Sequence, residues 1–240
     1  MIRYAPLTLA VLLGTEVAAQ DPDSLRVADS VSIGDTLMAT DTLPPFVPLP
    51  AEAVTHLNHL TESFSSTPAG AGLIPTGMAE AEIALEYARA AGRATGLAGM
   101  VRNMAHVLHA IDPGQSGGGD GLGYGVRRAA QETLLHIDLA MAVEGVSDHL
   151  AFHAAYVTAA ASNAIRLADE AIGLARQIER ATSVGAASPM VAELIRLARS
   201  MAYGNDADSD GRIGYAESEM GLAQAGYHLA LVRRVERLGN

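Results

Sequence analysis

The pattern of hydrophobic and polar residues changes at Ala51. Beyond it, alanine, leucine and other apolar residues recur three and four positions apart, which is the spacing of amphipathic helices. Strand-like alternation is absent from this part of the chain, and prolines are rare in it. The pattern predicts helices near residues 51–65, 78–111, 124–144, 148–183, 188–204 and 215–238. Ser147 and Ser188 stand where N-caps are expected.

These helices predict an all-α fold. Two of them span roughly 35 residues, or about 50 Å at 1.5 Å per residue, so we expect an elongated antiparallel helical bundle. The bundle is predicted to include residues 51–240, and a segment of that length suffices for one hydrophobic core.

Two segments precede this domain. Residues 1–19 combine Arg3, a short apolar run and small residues at Val17 and Ala19, which is typical of a secretory signal peptide. The run is shorter than the roughly 20 residues that span a bilayer, so no membrane span is expected after cleavage. Residues 20–50 are acidic and rich in proline, and predict a disordered tether. Together the two segments predict a periplasmic or secreted protein.

Composition excludes several classes of function. Cysteine is absent, which excludes zinc–thiolate sites, c-type haem attachment and iron–sulfur clusters. All 16 basic residues are arginine, so phosphate-loop and Schiff-base lysines are excluded as well. The formal net charge is −11, and no basic stripe interrupts it. We therefore expect no nucleic-acid partner.

An acidic segment near the C-terminus carries the clearest chemical pattern. Asp206, Asp208 and Asp210 alternate along the chain, so their carboxylates can converge on one hard cation. Gly211 permits the sharp turn that follows, and Glu217 can supply two further oxygens. Carboxylates packed this closely repel one another unless a divalent cation is bound. The spacing predicts a Ca²⁺ site.

This segment resembles the calcium loop of EF-hand proteins. The resemblance covers about the last 50 residues and implies a C-terminal helix–loop–helix over residues 188–238. It also implies that Arg212 binds calcium through its backbone carbonyl and that a water occupies the vertex at Gly214. The sequence contains no second loop of this kind. Ile213, next to which EF-hands normally pair, is therefore expected to contact the rest of the domain or a second copy of the chain.

Histidines form a second pattern on the predicted helices. His106 and His109 lie three residues apart on one helix, while His136 and His153 lie on the next two. An antiparallel bundle can bring these four to one level, where imidazoles bind a transition metal or supply axial ligands to haem. Histidines in such stripes also form buried polar networks. A further pair, His56 and His59, lies on the first helix, and His228 lies on the last.

Three functions are compatible with these patterns. The leading expectation is an exported calcium-binding helical protein, in which calcium stabilises the fold and the protein has no catalytic activity of its own. The alternative is a periplasmic transition-metal- or haem-binding protein that uses the histidines. A third interpretation is a module that binds a protein partner through a helical face exposed by calcium.

Overall fold

The computed structural model describes residues 46–216 and 218–238. The predicted signal peptide, the tether up to residue 45 and the predicted calcium ligand Glu217 lie outside these residues. Residues 46–50, the last part of the predicted tether, have no regular secondary structure. Leu49 within them is nevertheless buried among the apolar side chains of the domain.

The described residues form a bundle of α-helices without strands, which confirms the predicted all-α fold. The seven helices are α1 (Ala51–Thr61), α2 (Leu73–Arg93), α3 (Leu97–Ile111), α4 (Val126–Met141), α5 (Asp148–Glu179), α6 (Val184–Tyr203) and α7 (Leu222–Val235). Short 3-10 helices at Pro68–Gly70 and Pro113–Gln115 lie in the connections that precede α2 and α4.

The long helix α5 lies at the centre of the packing and contacts α3, α4, α6 and α7. It has 32 residues and is therefore about 48 Å long. Its buried face is lined mainly by alanine, so neighbouring helices approach its backbone closely. The buried alanines of α5 are Ala154, Ala160, Ala161, Ala164, Ala168, Ala171 and Ala175. The second long helix, α2, packs against α1, α3, α4, α6 and α7.

The predicted helix at 78–111 was wrong as a single element. The chain turns at residues 94–96 and separates α2 from α3, which then pack against each other. Thr95 is β-branched and Gly96 adopts an extended backbone as the N-cap of α3, so neither favours a continuous helix. Folding back buries apolar faces of both halves in one core, which a continuous helix of that length could not do.

The last two helices begin at positions other than those predicted. Ser183 caps α6 by accepting the Ala186 N–H at 3.2 Å, whereas Ser188 lies inside the helix and its hydroxyl donates to the Val184 carbonyl. The predicted start of α7 at residue 215 was seven residues too early. Gly221 passes so close to the end of α6 that an added Cβ would lie 2.5 Å from the Gly204 nitrogen. Gly221 has extended backbone with φ −115° and ψ −173°, and α7 begins at the next residue. Ser147, by contrast, caps α5 as predicted.

A buried carboxylate holds the connection between α3 and α4 in place. Glu80 on α2 is fully buried, and its oxygens accept backbone N–H groups of Leu122, Tyr124 and Gly125 at 2.9–3.0 Å. A buried charge is tolerated when several donors satisfy it in this way. The contact fixes the start of α4 and with it the position of His136.

None of the helices within residues 46–216 and 218–238 combines the length and the apolar composition that a membrane span requires.

We expect Ala164→Leu to destabilise the bundle by about 1–3 kcal/mol, because Ala164 is fully buried in the α5 contact and a larger side chain overpacks it. Ala151→Leu on the exposed face of the same helix is the matched control, with an expected change within about 0.5 kcal/mol. Urea unfolding of both variants measures the difference. Equal effects of the two substitutions would show that close packing on α5 does not hold the fold.

Candidate metal sites

The predicted calcium ligands lie in the irregular loop between α6 and α7. One carboxylate oxygen from each of Asp206, Asp208 and Asp210 lies within 4.8 Å of the other two, and all three side chains are exposed. The loop backbone orients them: the Asp210 and Gly211 N–H groups donate to Asp206 at 3.0 and 2.9 Å, and the Arg212 N–H donates to Asp210 at 2.8 Å. Gly211 has φ +86°, the left-handed conformation that a side chain disfavours. The three aspartates therefore converge as the spacing predicts.

A buried glutamate, which sequence reasoning missed, closes this loop from inside. Glu219 is 3% exposed, and one of its oxygens accepts the N–H groups of Ala207 and Asp208 at 3.0 and 3.3 Å. Its other oxygen accepts the Gly214 N–H at 2.5 Å. The carboxylate thus joins both ends of the acidic loop. In the sequence it stands two residues after the predicted ligand Glu217.

The loop is also attached to the helices around it. The Asn163 side chain of α5 donates to the Met220 carbonyl at 2.7 Å, and both residues are buried. The ring of Tyr215 packs against Tyr156 of α5, with 5.2 Å between ring centroids. Ile213 is 39% exposed, and its Cγ2 would lie 2.9 Å from a Cβ added at Gly204. At least one contact of Ile213 is therefore within its own chain.

The four histidines predicted as a transition-metal or haem site do not form one group. His106 accepts the Asp120 N–H at 2.9 Å and stacks on Tyr87, with 4.2 Å between ring centroids. His109 lies 3.2 Å from the Ser116 hydroxyl. These two imidazoles attach the connection between α3 and α4 to α3. His136 and His153 have other histidines as partners, in two separate sets of contacts.

His136 of α4 meets the two histidines of α1. Its Nδ1 lies 3.0 Å from Nδ1 of His56 and 3.5 Å from Nδ1 of His59. Ligand atoms of the three all lie within 4.8 Å of one another. Burial lowers the pKa of His136 and His59, and neighbouring imidazoles lower both further. The sequence marked His56 and His59 as a helical pair, but their distance from His136 depends on how α1 packs on α4.

His153 of α5 pairs with His228 of α7. Their Nδ1 atoms are 2.8 Å apart, and the His228 ring stacks on Tyr156 at 4.4 Å between centroids. Nε2 of His228 is buried without a hydrogen-bond partner among the described residues. Burial lowers the pKa of both histidines, and each is lowered further by another imidazole, His149 for His153 and His153 for His228. Direct contact between the rings leaves no space for a porphyrin between them.

Comparison with protein-family models, with curated proteins and with solved structures finds no match to this chain. Function is therefore inferred from the chemistry of the side chains and from their positions in the bundle.

We expect the free energy of unfolding to fall as the pH drops below about 6.5, the ordinary pKa of histidine. The pKa values of His153 and His228 are lowered in the folded protein, so the unfolded chain binds more protons in this range and acid favours it. The contribution of these two histidines to the free energy of unfolding is complete above about pH 6.5. It is lost as the pH falls through their lowered pKa values in the folded protein. Chemical denaturation across this range measures the loss.

His228→Gln should reduce this pH dependence, because one buried titrating group is removed. Ala230→Gln is the control: it places the same side chain on the exposed face of α7 without removing a titrating group, and it should leave the dependence unchanged. His59 and His136 also have lowered pKa values, so a residual dependence is expected in His228→Gln. Stability that is constant or rises with acid in the unmodified protein would contradict the expectation.

Proposed function

We propose that this chain is an exported calcium-binding helical protein, in which one Ca²⁺ in the loop at 206–217 stabilises the fold and no catalytic activity is present. The observation that carries the proposal is the convergence of Asp206, Asp208 and Asp210 within 4.8 Å on a loop of EF-hand spacing. Calcium takes six to eight oxygen ligands at 2.3–2.6 Å. Three aspartates, the Arg212 carbonyl, the bidentate Glu217 and a water at Gly214 supply that number.

The electrostatics of the loop favour a bound cation. Asp206, Asp208 and Asp210 place three negative charges close together on a chain that is already strongly acidic. Backbone N–H groups donate to these carboxylates, but they carry only partial positive charge and cannot neutralise three anions. A divalent cation bound between the oxygens replaces this repulsion with attraction.

The surroundings of the loop support a stabilising role for calcium. Glu219 ties the start of the loop to its end, and the Asn205 N–H donates to the Glu219 carbonyl at 2.9 Å. Asn163 attaches the end of the loop to α5. An ion held at this point therefore joins the C-terminus of α6 to the segment that leads into α7. A chain without cysteine has no disulfide to perform this task.

Export would suit such a site. Extracellular calcium modules work with dissociation constants of about 10⁻⁴–10⁻³ M, so a single loop of modest affinity suffices there. The apolar segment at 1–19 supports this part of the proposal.

We expect Glu217→Gln to lower calcium affinity and to reduce the melting temperature only when calcium is present. The substitution removes a charged bidentate ligand, while the calcium-free loop keeps the contacts of Glu219. Calcium at 100 times its dissociation constant adds about 2.7 kcal/mol, which corresponds to a shift of about 5–10 °C for a domain of this size. Isothermal titration and thermal melts, with calcium and with EDTA, measure both effects.

Glu219→Gln provides the contrasting variant. It replaces an acceptor of three N–H groups, so the melting temperature should fall both with calcium and with EDTA. Glu144→Gln, an exposed residue before α5, controls for the loss of one negative charge and should change neither quantity. A melting temperature of the unmodified protein that is the same in calcium and in EDTA would refute the stabilising role.

A further inference from the structure

We propose that His56, His59 and His136 form a second metal site, which binds a divalent transition metal of the zinc class through three imidazole nitrogens. The site differs from the histidine set suggested by the sequence, with which it shares only His136. It also shares no residue with the calcium loop, so the two proposals stand or fall separately.

The distances between the imidazoles match those around a tetrahedral ion. Zinc–nitrogen bonds of 2.0–2.1 Å at tetrahedral angles separate the ligand nitrogens by about 3.3–3.4 Å. Nδ1 of His136 lies 3.0 Å from Nδ1 of His56 and 3.5 Å from Nδ1 of His59. These two separations lie within about 0.4 Å of the tetrahedral value, and ligand atoms of all three imidazoles lie within 4.8 Å of one another.

Hydrogen bonding alone leaves this arrangement poorly satisfied. Each Nδ1 has one in-plane position, which holds either a proton or a lone pair. Nδ1 of His136 faces two other Nδ1 atoms. If it forms a well-directed hydrogen bond with one of them, it cannot form a second with the other. A metal ion accepts all three lone pairs at once. A metal ion that all three imidazole nitrogens can bind thus explains why these nitrogens converge.

The surroundings shield the three imidazoles in part from solvent. His136 is 8% exposed, while His56 and His59 are half-buried. The aromatic ring of Phe64 covers His59 and His136, with centroids 5.1 and 5.0 Å away.

The packing of α1 on α4 fixes the position of the site. Leu57 and Leu60 alternate with the histidines of α1 and are fully buried, and Ile137 follows His136 into the same core. Each histidine is thus adjacent in sequence to a side chain that anchors its helix. Rigid elements of this kind hold ligands more precisely than loops do.

The three imidazoles leave one position of a tetrahedral ion without a protein ligand. Among the described residues, no fourth histidine or carboxylate joins the three imidazoles. Glu132, one helical turn before His136, instead accepts the Tyr124 hydroxyl at 2.6 Å and the Arg128 Nε–H at 2.9 Å. Three protein ligands with an open fourth position are typical of zinc sites that bind water or a small exogenous ligand.

The test is a Zn²⁺ titration by calorimetry, with calcium at saturation so that the acidic loop is filled. We expect one Zn²⁺ per chain, and we expect His56→Gln to weaken binding by at least about 100-fold, since even loss of an outer-shell partner costs 10–100-fold. His106→Gln is the matched control, because His106 is also a half-buried helical histidine, and it should bind zinc like the unmodified protein. Co²⁺ should give the intense visible bands of a tetrahedral nitrogen-ligated ion, and His56→Gln should abolish them.

His136→Gln removes the central ligand and should also abolish zinc binding. Circular dichroism without metal checks that this variant folds. If it does not fold, the test rests on His56→Gln. Glu217→Gln should lose calcium and keep zinc, which separates this proposal from the calcium site. The proposal is overturned if the unmodified protein binds no zinc at one equivalent, if His56→Gln binds zinc as tightly, or if His106→Gln loses zinc equally.

Discussion

Close packing along α5 is the constraint on which the rest of the structure depends. Alanines make up most of its buried face, and α3, α4, α6 and α7 all pack against it. Contacts of this kind tolerate little change in side-chain volume, because close-packed cores respond to the gain or loss of a single methylene. The pairing of His153 with His228 and the attachment of the acidic loop through Asn163 both depend on the position of α5.

Buried carboxylates hold the connections between helices that helix packing alone does not fix. Glu80 and Glu219 each accept three backbone N–H groups from a glycine-containing connection between two α-helices. Glu80 thereby fixes the start of α4, which bears His136, and Glu219 fixes the loop that bears the aspartates. The chain uses charged acceptors where disulfides are unavailable to it, and both proposed metal sites stand on elements that these carboxylates hold.

The sequence predicted what is local. Helical periodicity predicted the all-α bundle, and the N-cap at Ser147 depended only on nearby residues. The convergence of Asp206, Asp208 and Asp210 also follows from their spacing along one loop. Contacts between distant segments could not be predicted. The group of His56, His59 and His136 depends on how α1 packs on α4, and the break between α2 and α3 depends on the core that forms when the chain folds back.

Whether calcium belongs to the folded protein is tested most directly by its metal content, measured by mass spectrometry after purification without chelators or a histidine tag. We expect one calcium per chain, bound by the loop between α6 and α7. A folded protein that retains no stoichiometric calcium, in a medium with calcium at extracellular levels, would contradict it.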